Sequence, residues 1–478
     1  MNAEMIRQML TPEAFAATAP FIALCAGILL MLVVEILPGT RALRPLVFLG
    51  SLAAALGYGW TQARGGETRV FAETYVANSI TGWWTILFVA ATLVAWLFGR
   101  RYYKEESAFE GEHDVLLLSS AAGMVLMAGA RDLLVFFVGL ELLSIPLYTL
   151  SGFRRARRES IESALKYFVL GAFAAAIFLF GSALVYAGTG TLTLSKMGAA
   201  ALLQPITVAG AVLVAASLFF KISVFPFHLW VPDVYQGAPS PVTTFMATGT
   251  KAAAFAFLLP MSLLLPKDAT TVLAVVAVAT MAIGNLGALV QTDLKRLLAY
   301  SGIAHAGTML LAIAAQVSGG ASASDATRAI VYYMAAYVFT AGGAFGLVTA
   351  MEGRTGRAVT IDSIKGLAQR SPLWAATFAL FALSLGGIPA TGGFLGKYLV
   401  FSTAVDADMI GWAIAGILMS VVALGYYLRL IVAMYMQESA GVETNLESRP
   451  WANAMAVACA AGVVVLGVLP DLLLERLG

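Results

Sequence analysis

Charge is scarce in this chain. Of its 478 residues only 12% are Asp, Glu, Lys or Arg, against 60% hydrophobic, whereas an average soluble domain is about 25% charged. A water-soluble globule of this length cannot hide so much apolar surface, because the fraction it buries is limited by its size; a bilayer can. The formal net charge of +2 gives no footprint for a nucleic-acid partner. Cysteine is nearly absent. Cys25 and Cys459 both lie in apolar runs without CxxC spacing, which excludes a disulfide framework and argues against a metal or iron–sulfur site. Three histidines, His113, His228 and His305, are too scattered for a metal cluster. No GxGxxG or P-loop pattern follows a strand-like segment, so nucleotide binding is not expected.

What fills the chain is a succession of long apolar runs. A bilayer core about 30 Å thick needs roughly 20 apolar residues per helix. Runs of that kind cover 14–37, 45–62, 78–99, 114–130, 132–152, 161–187, 205–230, 240–265, 270–291, 297–316, 327–351, 372–402, 409–436 and 452–470. The first is too long for a signal peptide and contains Glu35, so it reads as a retained helix. The fourth and fifth are parted only by Arg131-Asp132, which leaves thirteen spans as the alternative to fourteen. The runs are continuous rather than alternating in polarity, which argues against a transmembrane barrel. The expected fold is therefore all-α, a polytopic transmembrane helical bundle of about 14 helices. With fourteen spans, 16 Lys and Arg fall in the loops of one face and 8 in those of the other. The excess marks the first face as cytoplasmic, with Arg154–Arg158 as its strongest cluster and both termini on the opposite face.

Five cations and one acid fall inside the runs: Lys166, Lys221, Lys251, Lys397, Arg429 and Glu141. A charge at a helix centre costs about 2.5–3.5 kcal/mol on insertion scales. Arg429 and Lys166 lie close enough to a span end to snorkel, although a role for Lys166 stays open. Glu141, Lys221, Lys251 and Lys397 are deeper. Lysine suits proton relay because burial favours its neutral form while a nearby carboxylate favours the charged one; arginine does not deprotonate. Two spans also look broken. The seventh contains Lys221-Ile222-Ser223-Val224-Phe225-Pro226 and the twelfth Gly386-Gly387-Ile388-Pro389-Ala390-Thr391-Gly392-Gly393. Unwound backbone at membrane depth is tolerated only inside protein or beside a wet cavity. Breaks five spans apart predict two inverted five-helix repeats, each with a broken helix, and a chain divided as 1–113, 114–265, 266–436 and 437–478. The prolines and Gly237 between Pro232 and Pro241 predict a loop closing the seventh span on the cytoplasmic side, with His228 near a wet inlet.

Three motifs carry a resemblance. They are His228-Leu229-Trp230-Val231-Pro232-Asp233-Val234-Tyr235-Gln236-Gly237-Ala238-Pro239-Ser240-Pro241-Val242-Thr243, Gln291-Thr292-Asp293-Leu294-Lys295-Arg296-Leu297-Leu298-Ala299-Tyr300-Ser301-Gly302-Ile303-Ala304-His305-Ala306-Gly307, and Leu383-Ser384-Leu385-Gly386-Gly387-Ile388-Pro389-Ala390-Thr391-Gly392-Gly393-Phe394-Leu395-Gly396-Lys397. In this order they resemble the antiporter-like membrane subunits of respiratory complex I, NADH:quinone oxidoreductase, in the chain-N (subunit 2) form. The resemblance implies proton translocation through a mid-membrane chain of charges, with Glu141, Lys221, Lys251 and Lys397 in the main roles and His228, His305 and Lys166 as further candidates. It implies a non-redox subunit of a translocase in the bacterial inner membrane, with no cofactor or metal in this chain. NADH, FMN, iron–sulfur clusters and quinone would belong to partner subunits, and lipid and the sister antiporter-like subunits would be neighbours. A subunit of a secondary cation/proton antiporter is the alternative on the same fold. A purely structural subunit is the third reading, and it leaves four titratable groups in mid-span without a reason.

Overall fold

The computed structural model describes residues 11–100, 102, 110–352, 358–439 and 450–477. Arg7, Arg101, Lys104, Arg354, Arg357 and Arg449, which contributed to the loop-charge count, lie outside the described residues. The principal elements are α1 (Pro12–Ile36), α2 (Arg44–Ala63), β1 (Thr68–Val70), β2 (Tyr75–Ala77), α3 (Ser79–Gly99), α4 (Glu110–Gly129), α5 (Leu133–Ser151), α6 (Arg158–Thr189), α7 (Pro205–Ile222), α8 (Trp230–Gly237), α9 (Ser240–Ser262), α10 (Ala269–Leu289), α11 (Leu294–Ser318), α12 (Ala323–Glu352), α13 (Pro372–Gly386), α14 (Gly392–Asp406), α15 (Ile410–Met436) and α16 (Pro450–Val468).

Every expected run has its helix, with α4 and α5 separate, and twelve of the described helices are long and apolar enough to cross a membrane. Arg131-Asp132 is a turn because each residue caps one helix. The Arg131 guanidinium donates to the carbonyls of Ala128 and Ala130 at the end of α4, and the Asp132 carboxylate accepts the amides of Leu134 and Val135 at the start of α5. Such a cap is worth about 1 kcal/mol. The seventh span is α7 plus α8 and the twelfth is α13 plus α14. Two corrections follow. The segment after His228 is not a loop: Trp230–Gly237 is helical, because Pro232 sits in the first turn, where a missing amide costs nothing. Among the described residues there is also one antiparallel hairpin, β1 with β2, which lies outside the membrane-spanning runs and bridges Tyr75 to Ala130.

Loops of the same parity meet, as an even number of crossings requires. The β1–β2 hairpin, the α4–α5 turn and the α6–α7 loop share one face: Arg131 N donates to the Thr74 carbonyl and Lys196 Nζ to that of Ala72. The Arg154–Arg158 segment lies on the other face with Tyr102, Asp233, Lys295 and Glu352. Polarity is arranged inside out relative to a soluble domain. Peripheral helices present Phe173, Leu165 and Phe180 of α6 and Val421 of α15 outward, as lipid requires. The central helices α9, α11 and α12 are almost entirely buried. Neighbouring helices approach closely through small residues, the favoured contact in membranes: a Cβ on Gly181 of α6 would stand 2.8 Å from the Gly210 carbonyl oxygen of α7.

Candidate functional site

The two breaks are built alike. Helix α7 ends at Ser223 in the left-handed region (φ 69°), with Ser223 N donating to Phe220 O and Val224 N to Phe219 O. Helix α13 ends at Gly387 (φ 84°), with Gly387 N donating to Ser384 O and Ile388 N to Leu383 O. This is the paired capping pattern that closes a helix by left-handed backbone. Proline follows each cap within three residues and forbids resumption. The freed polar groups find partners inside protein, as they must at this depth. Trp230 Nε1 donates to the Phe220 carbonyl at 3.1 Å, Phe225 N to Thr280 Oγ1 at 3.0 Å, and Gly393 N to Ser384 Oγ at 3.2 Å. Gly393 packs so closely on Ser384 that a side chain there would overlap its carbonyl oxygen.

Each break carries a lysine. Lys221, 4% exposed, donates to Ser144 Oγ at 2.7 Å and to Tyr167 OH at 3.2 Å. Ser144 stands one turn after Glu141 on α5, so both face the same way. Glu141 makes no direct ion pair with Lys221 among the described residues. It lies within Coulombic reach, with one carboxylate oxygen buried and without a hydrogen-bond partner. Tyr167 is held in place by stacking on Trp230 at 4.7 Å between ring centroids.

Lys251, 1% exposed, follows a single π turn, Met246–Thr250, within α9. Its Nζ donates to the Gly302 carbonyl at 2.7 Å. A Cβ at Gly302 would stand 2.7 Å from that same Nζ, so glycine makes the room in which the ammonium sits. One turn further along α11, His305 is buried, with Nδ1 2.7 Å from Tyr333 OH and Nε2 3.1 Å from Tyr427 OH. Tyr427 OH also bonds Ser301 Oγ. His305 feels the charges of both Lys251 and Lys397. Lys397, 7% exposed, donates to the freed Gly386 carbonyl at 3.1 Å. It shares a cavity of about 10 Å³ with His305, Thr308 and Asn285, room for about one water.

Other candidates fall elsewhere. Lys166 lies at the basic-loop face, partly exposed, 2.8 Å from Glu162 and 2.9 Å from Asp233, away from the lysine row. His228 is buried, with Nδ1 unpartnered, between α7 and α8. Arg429 donates to the Leu289 and Gln291 carbonyls at the end of α10, a helix cap rather than a carrier. Arg154, read from sequence as a topology anchor, is 6% exposed and sits 3.6 Å from the buried Glu352. Sequence reasoning missed Ser144, Tyr167, Ser301, Tyr333 and Tyr427. Single hydroxyls in apolar runs give no periodic signal, although Ser301 lies inside one of the quoted motifs. Among the described residues no cluster of His, Cys, Asp and Glu could hold a metal.

Paired broken helices and a buried row of lysines, tyrosines and one histidine, all inside an apolar bundle, define an antiporter-like membrane subunit. The chain belongs to the NADH:quinone oxidoreductase/Mrp antiporter family, whose pattern it matches over residues 130–423. It is 38% identical to NADH-quinone oxidoreductase subunit N 1 of Chloroherpeton thalassium, over 94% of each chain, and 37% identical to subunit N of Myxococcus xanthus, over 95% of each. Among solved structures, a chain of respiratory complex I from Thermus thermophilus superposes with a TM-score of 0.83 at 35% identity, covering 96% of this chain and 99% of that one. A chain of the Mrp complex from Dietzia sp. DQ12-45-1b has a TM-score of 0.84 at 24% identity, over 98% and 96%, and shares the fold.

Proposed function

We propose that this chain translocates protons as a non-redox subunit of a membrane-bound NADH:quinone oxidoreductase, with its orientation set by the basic loops facing the cytoplasm of a bacterial cell. The observation that carries the proposal is the buried row itself. Glu141, Lys221, Lys251, His305 and Lys397 stand in succession on α5, α7, α9, α11 and α14, and hydroxyls of Ser144, Tyr167, Ser301, Tyr333 and Tyr427 lie beside them. Burying these groups is costly unless they are used. The two five-helix halves, 114–265 and 266–436, each supply one broken helix with its lysine, and α9 brings Lys251 between them.

The work is divided by chemistry. Glu141 supplies the acid of the row and Lys221, held by Ser144 and Tyr167, its first base. Lys251 exchanges a proton with His305 by way of the tyrosine hydroxyls and water. Lys397, beyond the second break, passes it to the face opposite the basic loops. His228, in the unwound segment between α7 and α8, is the further candidate carrier on this side of the row. NADH, flavin, iron–sulfur clusters and quinone belong to partner chains, and the sister antiporter-like subunits and lipid cover the apolar periphery. A secondary cation/proton antiporter shares the fold, but the relatives near 38% identity carry the subunit N name while the Mrp chain stands at 24%. The test is Lys251→Ala in the assembled enzyme, reconstituted in vesicles. NADH-driven proton uptake should fall about tenfold or more, equivalent to at least ~1.4 kcal/mol on the barrier; uptake at the parent rate would remove the central assignment.

A further inference from the structure

The mid-membrane row needs a supply, and the structure holds a second buried polar system that leads to it. On the basic-loop face is a cavity of about 500 Å³, lined by Arg154, Lys166, Asp233, Asp293, Lys295 and Glu352 among others. Its deepest acid is Glu352, the last residue of α12, 5% exposed. Four side chains from separate segments converge on this carboxylate. Tyr102 OH donates to Oε1 at 2.9 Å, Ser240 Oγ donates to Oε2, Arg154 Nη1 lies 3.6 Å from Oε1 and Lys295 Nζ 3.5 Å from Oε2. Burying two cations and an acid does little for stability by itself, since desolvation offsets most of the attraction.

From Ser240 a row of hydroxyls runs along α9 to the central lysine. Ser240, Thr244 and Thr248 are spaced by four residues and so share one face of the helix; each is at most 1% exposed. Thr244 Oγ1 lies 3.3 Å from Thr349 Oγ1 across on α12, and Thr349 is also fully buried. Gly342 of α12 faces the Thr248 methyl, and a Cβ there would stand 3.5 Å from it and 3.1 Å from Val94. Three residues on, after the π turn, stands Lys251. Threonines in a helix commonly bond the carbonyl four residues back, and Thr244 and Thr248 do so at 2.9 Å. That bond leaves the oxygen lone pairs free to accept a proton.

We propose that Glu352 is the proton-collecting residue for Lys251, and that Ser240, Thr244, Thr349 and Thr248 form the path between them. A proton from water in the cavity bonds to the Glu352 carboxylate and makes a carboxylic acid. The acid gives its proton to the Ser240 hydroxyl, which releases its own toward Thr244. Hydroxyls one turn apart are roughly 5–6 Å from one another, so a water spans each gap and every oxygen gains one proton and gives up one. The last proton bonds to the unprotonated Nζ of Lys251, leaving an ammonium there. Glu352 is again a carboxylate between Arg154 and Lys295.

The inference rests on Lys251 as the central carrier, so the test includes Lys251→Ala. The enzyme is assembled with this subunit, reconstituted in vesicles, and NADH oxidation and proton uptake are read together. Thr248→Val keeps the shape and removes the hydroxyl; Thr248→Ser keeps the hydroxyl and removes a methyl. Uptake is expected to fall at least about fivefold in Thr248→Val and Glu352→Gln and to stay within about twofold of the parent in Thr248→Ser. Equal loss in Thr248→Val and Thr248→Ser would mean that only packing matters, and would overturn the path. Parent-rate uptake in Thr248→Val and Glu352→Gln, with Lys251→Ala slowed, overturns the path and leaves the central reading standing. Parent-rate uptake in all three overturns both. Should Glu352→Gln fail to assemble because Lys295 and Arg154 lose their counter-charge, the Thr248 pair decides alone.

Discussion

Glu141 and Lys397 show how little distance separates a structural role from a transport role for a buried charge. Lys397 occupies the carbonyl freed at Gly386, which is what a purely structural lysine would do, yet it also opens onto the cavity it shares with His305. Lys397→Arg separates the two roles. Arginine keeps charge and donors but does not release a proton, so proton uptake by the assembled enzyme should drop about tenfold while assembly survives; unchanged uptake would make Lys397 structural. Glu141→Gln keeps the shape and removes the buried acid on the α5 face that also carries Ser144. It should assemble normally and slow uptake several-fold, about 1 kcal/mol on the barrier. Normal pumping by that variant would sever Glu141 from the row. These charges were legible in the sequence because nothing else explains a charge in mid-span. The hydroxyls beside them were not. Ser144 and Tyr167 look like any residue of an apolar helix, and only the packing of α5, α6 and α7 brings both within reach of Lys221.

Helix ends account for most of what sequence reading missed. Proline and glycine located the two breaks to within a few residues, since both disrupt a helix by known means. The segment after His228 was misread because its prolines suggested a loop. Pro232 instead occupies the first turn of α8 and leaves the helix intact. The π turn before Lys251 has no sequence signature at all, because it depends on how α9 packs rather than on which residues compose it. The left-handed cap at Gly387 gives a test at this scale. A non-glycine residue at φ 84° costs about 1–2 kcal/mol, so Gly387→Ala should lower the thermal unfolding midpoint of the purified enzyme's membrane part, and Gly387→Val should lower it further. An unchanged midpoint for both would mean that the break is held by Pro389 and the Lys397 contact alone.

At the scale of the whole molecule, the proposed orientation rests on the fourteen-crossing reading and the loop charges together. Gly66 lies in the exposed loop before β1, and Ala156 is exposed in the Arg154–Arg158 segment. Cysteine placed at each position in intact cells should divide cleanly: Gly66→Cys reacts with a membrane-impermeant maleimide added outside, and Ala156→Cys reacts only in inverted vesicles. The native Cys25 and Cys459 lie within α1 and α16, so the parent chain supplies the background. Labelling of both positions from one side would break the even crossing number, and reversed labelling would turn the proposed direction of transport around.

The proposed transport depends on Lys251 alternating between ammonium and amine, because its Nζ donates to the Gly302 carbonyl, which accepts but cannot return a proton. Lys251→Arg examines that alternation directly, since it preserves the charge and forbids the release. The measurement is NADH-driven proton uptake by vesicles bearing the assembled enzyme, with electron transfer followed in the same sample. The expected result is assembled enzyme with uptake reduced about tenfold or more. Assembled Lys251→Arg enzyme that takes up protons at the parent rate would contradict a proton-carrying role for the buried row.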